Sequence, residues 1–232
     1  MVEVIDLIRN ETLTVDQGKI EFVKGFVYSN DLSDDEILDN LTELRCCYNQ
    51  LTSLPNMPNL TELYCPNNRL TSLPDMPNLT SLCCWNNRLT SLSDMPNLIS
   101  LECKNNQLTS LPNMPNLTKL DCSNNQLTSL PNLPNLNYLE CSFNQLTSLP
   151  NMPNLTELYC WNNQLTSLPD MPNLTIFLCH NNQLPSNEIV YWKTIWSNQR
   201  KLTDLSNDSD SLLGVPNLNR DLQGLLMEIL SH

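Results

Sequence analysis

Leu117 to Asn135 reads L-T-K-L-D-C-S-N-N-Q-L-T-S-L-P-N-L-P-N, and this nineteen-residue unit returns almost unchanged in length along most of the chain. Its first leucine recurs at Leu41, Leu60, Leu79, Leu98, Leu136, Leu155 and Leu174, giving seven full copies and a partial eighth. A fixed period outranks chain length as a guide to architecture, because each unit can bury its apolar face only against its neighbours. The 232 residues are therefore expected to form one solenoid.

Positions are counted from that first leucine. Positions four and six are Leu and Cys, flanked by polar or aromatic residues at three, five and seven, the alternation of a half-buried strand. Position nine is Asn in every copy, from Asn49 to Asn182. Asn tolerates tight turns and its amide bonds backbone groups left unpaired there, so it is expected to end the strand. Leu follows at eleven and fourteen, Pro at fifteen and eighteen, and Met or Leu at seventeen. Two prolines three apart fix an extended, polyproline-like backbone and exclude a helix from the side opposite the strand. One coil buries too little apolar surface to offset the ordering of its backbone, so coils are stable only as a stack with covered ends.

The run L-x-x-L-x-C-x-x-N-x-L, carried by Leu117, Leu120, Cys122, Asn125 and Leu127, resembles the leucine-rich repeat. The L-P-x-M-P tail looks like the short repeats of bacterial type-III effectors and of leucine-rich repeat proteins from large amoebal DNA viruses. The resemblance implies a mainly β solenoid of nineteen-residue coils. It further implies a concave parallel sheet, a thin extended convex side and a protein partner bound on the concave face. Some bacterial relatives carry a ubiquitin-ligase domain after their repeats. The residues that follow the array here contain no cysteine, so that activity is not expected.

Three parts follow from the pattern: an N-terminal β-rich cap over 1–40, the repeat array over 41–186 and a C-terminal helical cap over 187–232. In the first, Thr12 to Val15 and Lys19 to Tyr28 read as strands joined at Asp16-Gln17-Gly18 in a hairpin. Shifting the unit back by one period places Phe22, Val27, Asn30 and Leu32 at the first, sixth, ninth and eleventh positions of a degenerate zeroth repeat. Ser33 and Glu36 then stand in capping-box spacing for a helical turn. At the other end Pro185 breaks the pattern, and Ser186-Asn187-Glu188 opens a helix to about Lys201 with an apolar stripe of Ile189, Trp192, Ile195 and Trp196. Thr203 to Asn217 reads as loop, and Asn219 caps an amphipathic segment bearing Leu222, Leu225, Leu226, Ile229 and Leu230. That segment is expected to pack on the first helix, with partner binding or self-association as the alternative.

A formal charge of −13, with only 12 basic residues and no basic stripe, argues against a nucleic-acid partner, since neutralising phosphates takes clustered Lys and Arg. No apolar run is long enough for a membrane span, and Met1 to Asn10 lacks the pattern of a secretory signal. Eight of the ten cysteines share position six, an architectural spacing, and free thiols without a secretory signal point to a reducing compartment. The expected location is the cytoplasm, the host's if the protein is viral or a secreted effector. Asn-Leu-Thr at Asn40, Asn59, Asn78, Asn116, Asn154 and Asn173 matches the glycosylation acceptor pattern, which carries no meaning there.

Positions three, five and seven of successive coils should form an outward grid about 4.8 Å apart. Two aromatic groups stand on it, Tyr64 with Trp85 and Tyr138 with Tyr159 and Trp161, around a charged centre of Glu102, Lys104, Lys119, Asp121 and Glu140. Exposed Tyr and Trp anchor protein interfaces, so these ten residues are the candidate partner-binding set. The bland alternative is that exposed strands favour Tyr and Trp for their β-propensity and that charges merely keep a sheet soluble. No catalytic, metal or cofactor site is expected. The position-six thiols face a leucine core in register, without the convergent geometry zinc requires, and Cys179 and His180 project to opposite faces. The reading is a non-enzymatic protein-binding solenoid, monomeric or weakly dimeric, with a structural or self-assembling protein joined through its caps as the alternative.

Overall fold

The computed structural model describes residues 22–24 and 38–207. Among the described residues, nine strands form one sheet in sequence order. β1 is Phe22–Lys24, and β2 to β9 are Glu43–Arg45, Glu62–Tyr64, Ser81–Cys83, Ser100–Glu102, Lys119–Asp121, Tyr138–Glu140, Glu157–Tyr159 and Ile176–Leu178. β2 to β9 therefore occupy positions three to five of the eight copies, and each pairs in parallel with the next, residue for residue at the repeat distance, as in Glu43↔Glu62 and Leu120↔Leu139. The alternation read from sequence appears directly: Leu44, Leu63, Leu82, Leu101, Leu120, Leu139 and Leu158 are buried, and most of their strand neighbours are half-exposed.

Positions ten to nineteen hold neither strand nor helix. Each passage ends in a tight turn in which the leucine opening the next coil donates its N–H to the carbonyl of position seventeen, as in Leu79 to Met76 at 3.2 Å and Leu117 to Met114 at 3.1 Å. The second proline thus sits where its fixed φ favours the first corner of a turn, rather than continuing an extended run. Leu at one, four, eleven and fourteen, Cys at six and Met or Leu at seventeen fill one continuous core.

Two asparagine ladders tie the coils. At position nine, Asn125 donates from Nδ2 to the carbonyls of Cys122 and Ser123 in its own coil and of Cys103 in the preceding one, at 3.1, 3.2 and 3.1 Å. Its Oδ1 accepts the N–H of Leu108 in the preceding coil at 3.0 Å. The same acceptance joins Leu51 to Asn68, Leu70 to Asn87, Leu89 to Asn106, Leu127 to Asn144, Leu146 to Asn163 and Leu165 to Asn182. At position nineteen, an exposed ladder runs from Asn116 Nδ2 to Pro96 O at 2.9 Å and repeats at Asn78, Asn97, Asn135, Asn154 and Asn173. Several residues of the glycosylation-like pattern thus spend the amide a glycan would occupy on a bond to the preceding coil.

The bend that ends the strand lies one residue before the invariant asparagine. Position eight has positive φ in every copy: Tyr48, Asn67, Asn86, Asn105, Asn124, Phe143, Asn162 and Asn181 lie between 52° and 58°. Asn is favoured there because it tolerates the left-handed region, whereas Tyr48 and Phe143 occupy it at a steric cost.

Two end expectations change. The zeroth repeat would have added a parallel strand, but β1 runs antiparallel to β2, with Val23 opposite Leu44; the parallel geometry needs a crossover connection, whereas an antiparallel return does not. The rest of the expected hairpin, with Val27, Asn30, Leu32, Ser33 and Glu36, lies outside the described residues, and residues 38–40 are helical. At the other end helix α1 spans Ile189–Asn207, longer than the expected stop near Lys201, so Thr203 to Asn207 is helix and not loop. Arg200 Nη1 reaches both carboxylate oxygens of Asp170 just before the expected stop, and beyond it Thr203 Oγ1 bonds back to Gln199 O at 3.0 Å. Trp192 and Trp196 insert into the end of the core at 5% and 1% exposure. The segment after Asn219 lies outside the described residues.

Asn125→Ala orphans a buried N–H and several carbonyls, and is expected to cost about 2–4 kcal/mol in urea unfolding. Asn116→Ala, on the exposed ladder, is expected to cost about 0.5–1.5 kcal/mol. Equal losses would show that the buried ladder has no special weight.

Candidate protein-binding face

The parallel register places the outward residues in three rows across the sheet. The position-five row runs Arg45, Tyr64, Cys83, Glu102, Asp121, Glu140, Tyr159 and Leu178. The position-three row carries Glu43, Glu62, Ser81, Ser100, Lys119, Tyr138, Glu157 and Ile176 beside it. All ten candidate residues lie on this face, and the structure divides them by what they touch.

In the N-terminal and central coils, charges and rings are already partnered within the chain. Arg45 bonds Glu43 at 2.8 Å and lies 4.3 Å from the centre of the Tyr64 ring. Lys104 reaches Asp121 at 3.3 Å and stands 5.8 Å from the Trp85 ring. Lys119 bonds Glu102 at 2.7 Å and stands 5.9 Å from the Tyr138 ring. Asp121 is only 8% exposed, covered by Lys104 and by Ser123, whose hydroxyl donates to it at 2.7 Å. It belongs to the support of the face more than to its surface.

The C-terminal coils differ. Tyr159 leans on Tyr138 with ring centres 5.7 Å apart, and Trp161 packs edge-on against Phe143 at 4.4 Å and near His180 at 5.4 Å. Phe143, Ile176 and Leu178 stand 42%, 41% and 45% exposed beside them. These residues, with Arg45 and His180, were not among the ten candidates. Ile176, Leu178 and His180 were visible on the grid, but Phe143 enters only because position eight swings it across the bend toward Trp161.

The comparisons with known proteins bear on this geometry. The sequence pattern of the family described as Leucine Rich repeats (2 copies) matches three times in succession, over residues 39–76, 77–114 and 115–152. The structure of a Shigella effector LRR domain is 32% identical with a TM-score of 0.59, the match covering 70% of this chain and 79% of that one. The chain belongs to the leucine-rich repeat family.

Two other structures widen the comparison. YopM from Yersinia enterocolitica WA-314 is 35% identical with a TM-score of 0.54, over 62% of this chain and 38% of that one. The functional domain of InlJ from Listeria monocytogenes, described as including a cysteine ladder, is 31% identical with a TM-score of 0.53, over 67% of this chain and 43% of that one. This chain thus spans less than half the length of either. No curated protein matches it.

The leucine-rich repeat core of this chain carries its own cysteine column, with all ten cysteines as free thiols. Burial drives the thiols of Cys65, Cys84, Cys122, Cys141 and Cys160 well above the ordinary range, as expected of small apolar fillers rather than nucleophiles. Outward Cys83 is pushed up to about 12, chiefly by burial and then by Glu102. Among the described residues, no group of three or more His, Cys, Asp or Glu could hold a metal ion, and no helix is long and apolar enough to cross a membrane.

On the leucine-rich repeat face, Tyr138 is pushed up to about 12 by burial and then by Glu140 and Asp121. The Glu140 carboxyl is raised chiefly by burial, with Asp121 adding to it, while hydrogen bonds from Ser142 and the more distant Lys104 offset part of the rise. Its Oε1 accepts the Ser142 N–H at 3.0 Å. A carboxyl raised on folding binds its proton more tightly in the folded chain. Its stabilising effect is complete below the unfolded value of roughly 4.3 and is lost as pH rises through the folded value. Glu140→Gln, which still accepts the Ser142 N–H, is therefore expected to raise stability at neutral pH relative to wild type, with the gain vanishing in acid. Urea midpoints across that range measure it; a loss at neutral pH would contradict the assignment.

Proposed function

We propose that this leucine-rich repeat protein is a protein-binding module acting through its concave sheet. The observation that carries the reading is the division of labour within the repeat. Buried positions are nearly constant from coil to coil, while the outward strand positions vary and display Tyr64, Trp85, Tyr138, Tyr159 and Trp161 half-exposed on a face that the described elements leave open. Tyr and Trp on a rigid sheet supply large contact area at little entropic cost, and the surrounding charges supply discrimination. The ten residues from Tyr64 to Trp161 are the proposed partner-binding set. No reacting group on this face has the cleft or the base that catalysis asks for, so a binding role without chemistry is the reading.

Likeness to YopM and to a Shigella effector supports the finer reading of a pathogen factor that engages a host protein in the host cytoplasm. A second reading, self-assembly, rests on β9, the last strand of the sheet, whose Ile176 and Leu178 side chains are exposed. Apolar edge strands invite pairing with another copy.

Trp85→Ala and Trp161→Ala are expected to keep the circular dichroism and urea midpoint of wild type while losing a partner recovered by affinity pull-down. If both retain every partner, the concave rings are not the site. Light scattering after size exclusion decides the second reading, since a monomer at all concentrations removes it.

A further inference from the structure

The chain contains two copies of the same outward triplet, Glu-Leu-Tyr, at Glu62–Tyr64 and Glu157–Tyr159. Both are built alike: the tyrosine hydroxyl donates to its own glutamate at 3.2 Å in the first and 3.3 Å in the second. Their surroundings differ most directly in the residue that stands opposite the ring. The coil before Tyr64 presents Arg45 directly opposite the ring, and its guanidinium covers that ring at 4.3 Å while bonding Glu43. The coil before Tyr159 presents Glu140 at the same register position.

The first copy is therefore a filled cation site, its Arg45 bonded to Glu43, and the second keeps the ring and its glutamate with Glu140 where the cation stood and Tyr138 in the place of Glu43. Among the described residues, neither Glu140 nor Glu157 forms an ion pair, whereas Glu43, Glu102 and Asp121 each do. The Tyr64, Trp85 and Tyr138 rings each carry a cation, and among the described residues none stands over Tyr159 or Trp161. Beyond Tyr159 the next coil offers exposed Ile176 and Leu178, an apolar shelf suited to the methylene stem of a long basic side chain.

We propose that Glu140, Glu157, Tyr159 and Trp161 form a receptor for an arginine or lysine side chain presented by a basic segment of a partner protein, with Ile176 and Leu178 taking its stem. The proposal rests on the concave-face reading and narrows it to the C-terminal third of the sheet and to a partner of opposite charge. A guanidinium there would stack on the ring as Arg45 does on Tyr64 and meet two carboxylates that form no ion pair among the described residues. The chain's net charge of −13 would also draw such a segment in, an effect that added salt weakens.

The test uses the full chain and a labelled synthetic peptide of Gly-Ser-Arg repeats, read by fluorescence anisotropy, with a citrulline peptide of the same shape and no charge as control. The arginine peptide is expected to bind and the citrulline peptide not. Glu140→Arg places the missing cation inside the chain and is expected to weaken binding by roughly tenfold or more. Glu188→Arg makes the same change of charge at the start of α1 and is expected to bind like wild type. Arg45→Glu empties the first site and is expected to add a second, weaker site, because Ser81 and Cys83 stand there in place of the apolar shelf. If Glu140→Arg does not fold as judged by circular dichroism, the double variant Glu140→Gln, Glu157→Gln serves in its place.

Absence of binding by wild type, equal binding by the citrulline peptide, equal binding by Glu140→Arg, or an equal loss with Glu188→Arg each overturns the proposal. Such a result leaves the wider reading standing, because the pull-down with Trp85→Ala and Trp161→Ala decides that one separately.

Discussion

Backbone polar groups that a coil cannot satisfy by itself set the terms of this fold. Where the strand turns out of the sheet, the carbonyls at position six and the N–H at position eleven face the core, and neither can be left unpaired in an apolar interior. One asparagine answers both, giving its amide protons to carbonyls of two coils and accepting an N–H from the coil before. The leucine and cysteine columns then pack around a backbone that is already tied. Removing the apolar residues one at a time would leave local cavities, whereas removing an asparagine leaves polar groups stranded in two coils at once.

How far the sequence could be read follows from which interactions are periodic. The alternation of Leu120 and Cys122 with Lys119 and Asp121 located the strand because burial on a pleated sheet repeats every second residue, and the eight strands fall where that pattern places them. The bend was assigned to the invariant Asn at nine, yet it lies at eight. Position eight is variable because Tyr48 and Phe143 also adopt it, so invariance marked the residue with buried bonds and not the one with the unusual backbone. Partnerships across the face were also hidden. Lys119 joins Glu102 and Lys104 joins Asp121 on diagonals of the grid, where long side chains reach past their direct neighbours. Local pattern also ended α1 too early, and it gave no sign that Arg200 finds Asp170 thirty positions back in the chain.

The concave face is accordingly not a uniform field of rings and charges. Toward the N-terminus and centre, opposite charges neutralise one another and lie across aromatic rings, which rigidifies the side chains and spends their bonding capacity internally. Toward the C-terminus, carboxylates and rings stand without such partners, and one of those carboxylates, Glu140, is partly desolvated. A half-buried carboxylate that forms no ion pair is held at some cost to the free protein. Proteins tolerate such costs most often where something else completes the arrangement.

The asparagine bonds also constrain how such a gene can change. The bonds between successive coils span 17, 18, 19, 20 or 22 residues, because each joins fixed positions of neighbouring units. Inserting or deleting one whole unit restores all of them, while an indel of any other length breaks two ladders and the sheet register together. Copy number is then the cheap heritable variable. Each added unit shifts the open acidic end away from the self-neutralised end by about 4.8 Å, so a lineage can lengthen this face by unequal exchange between near-identical repeats, without a point substitution on it.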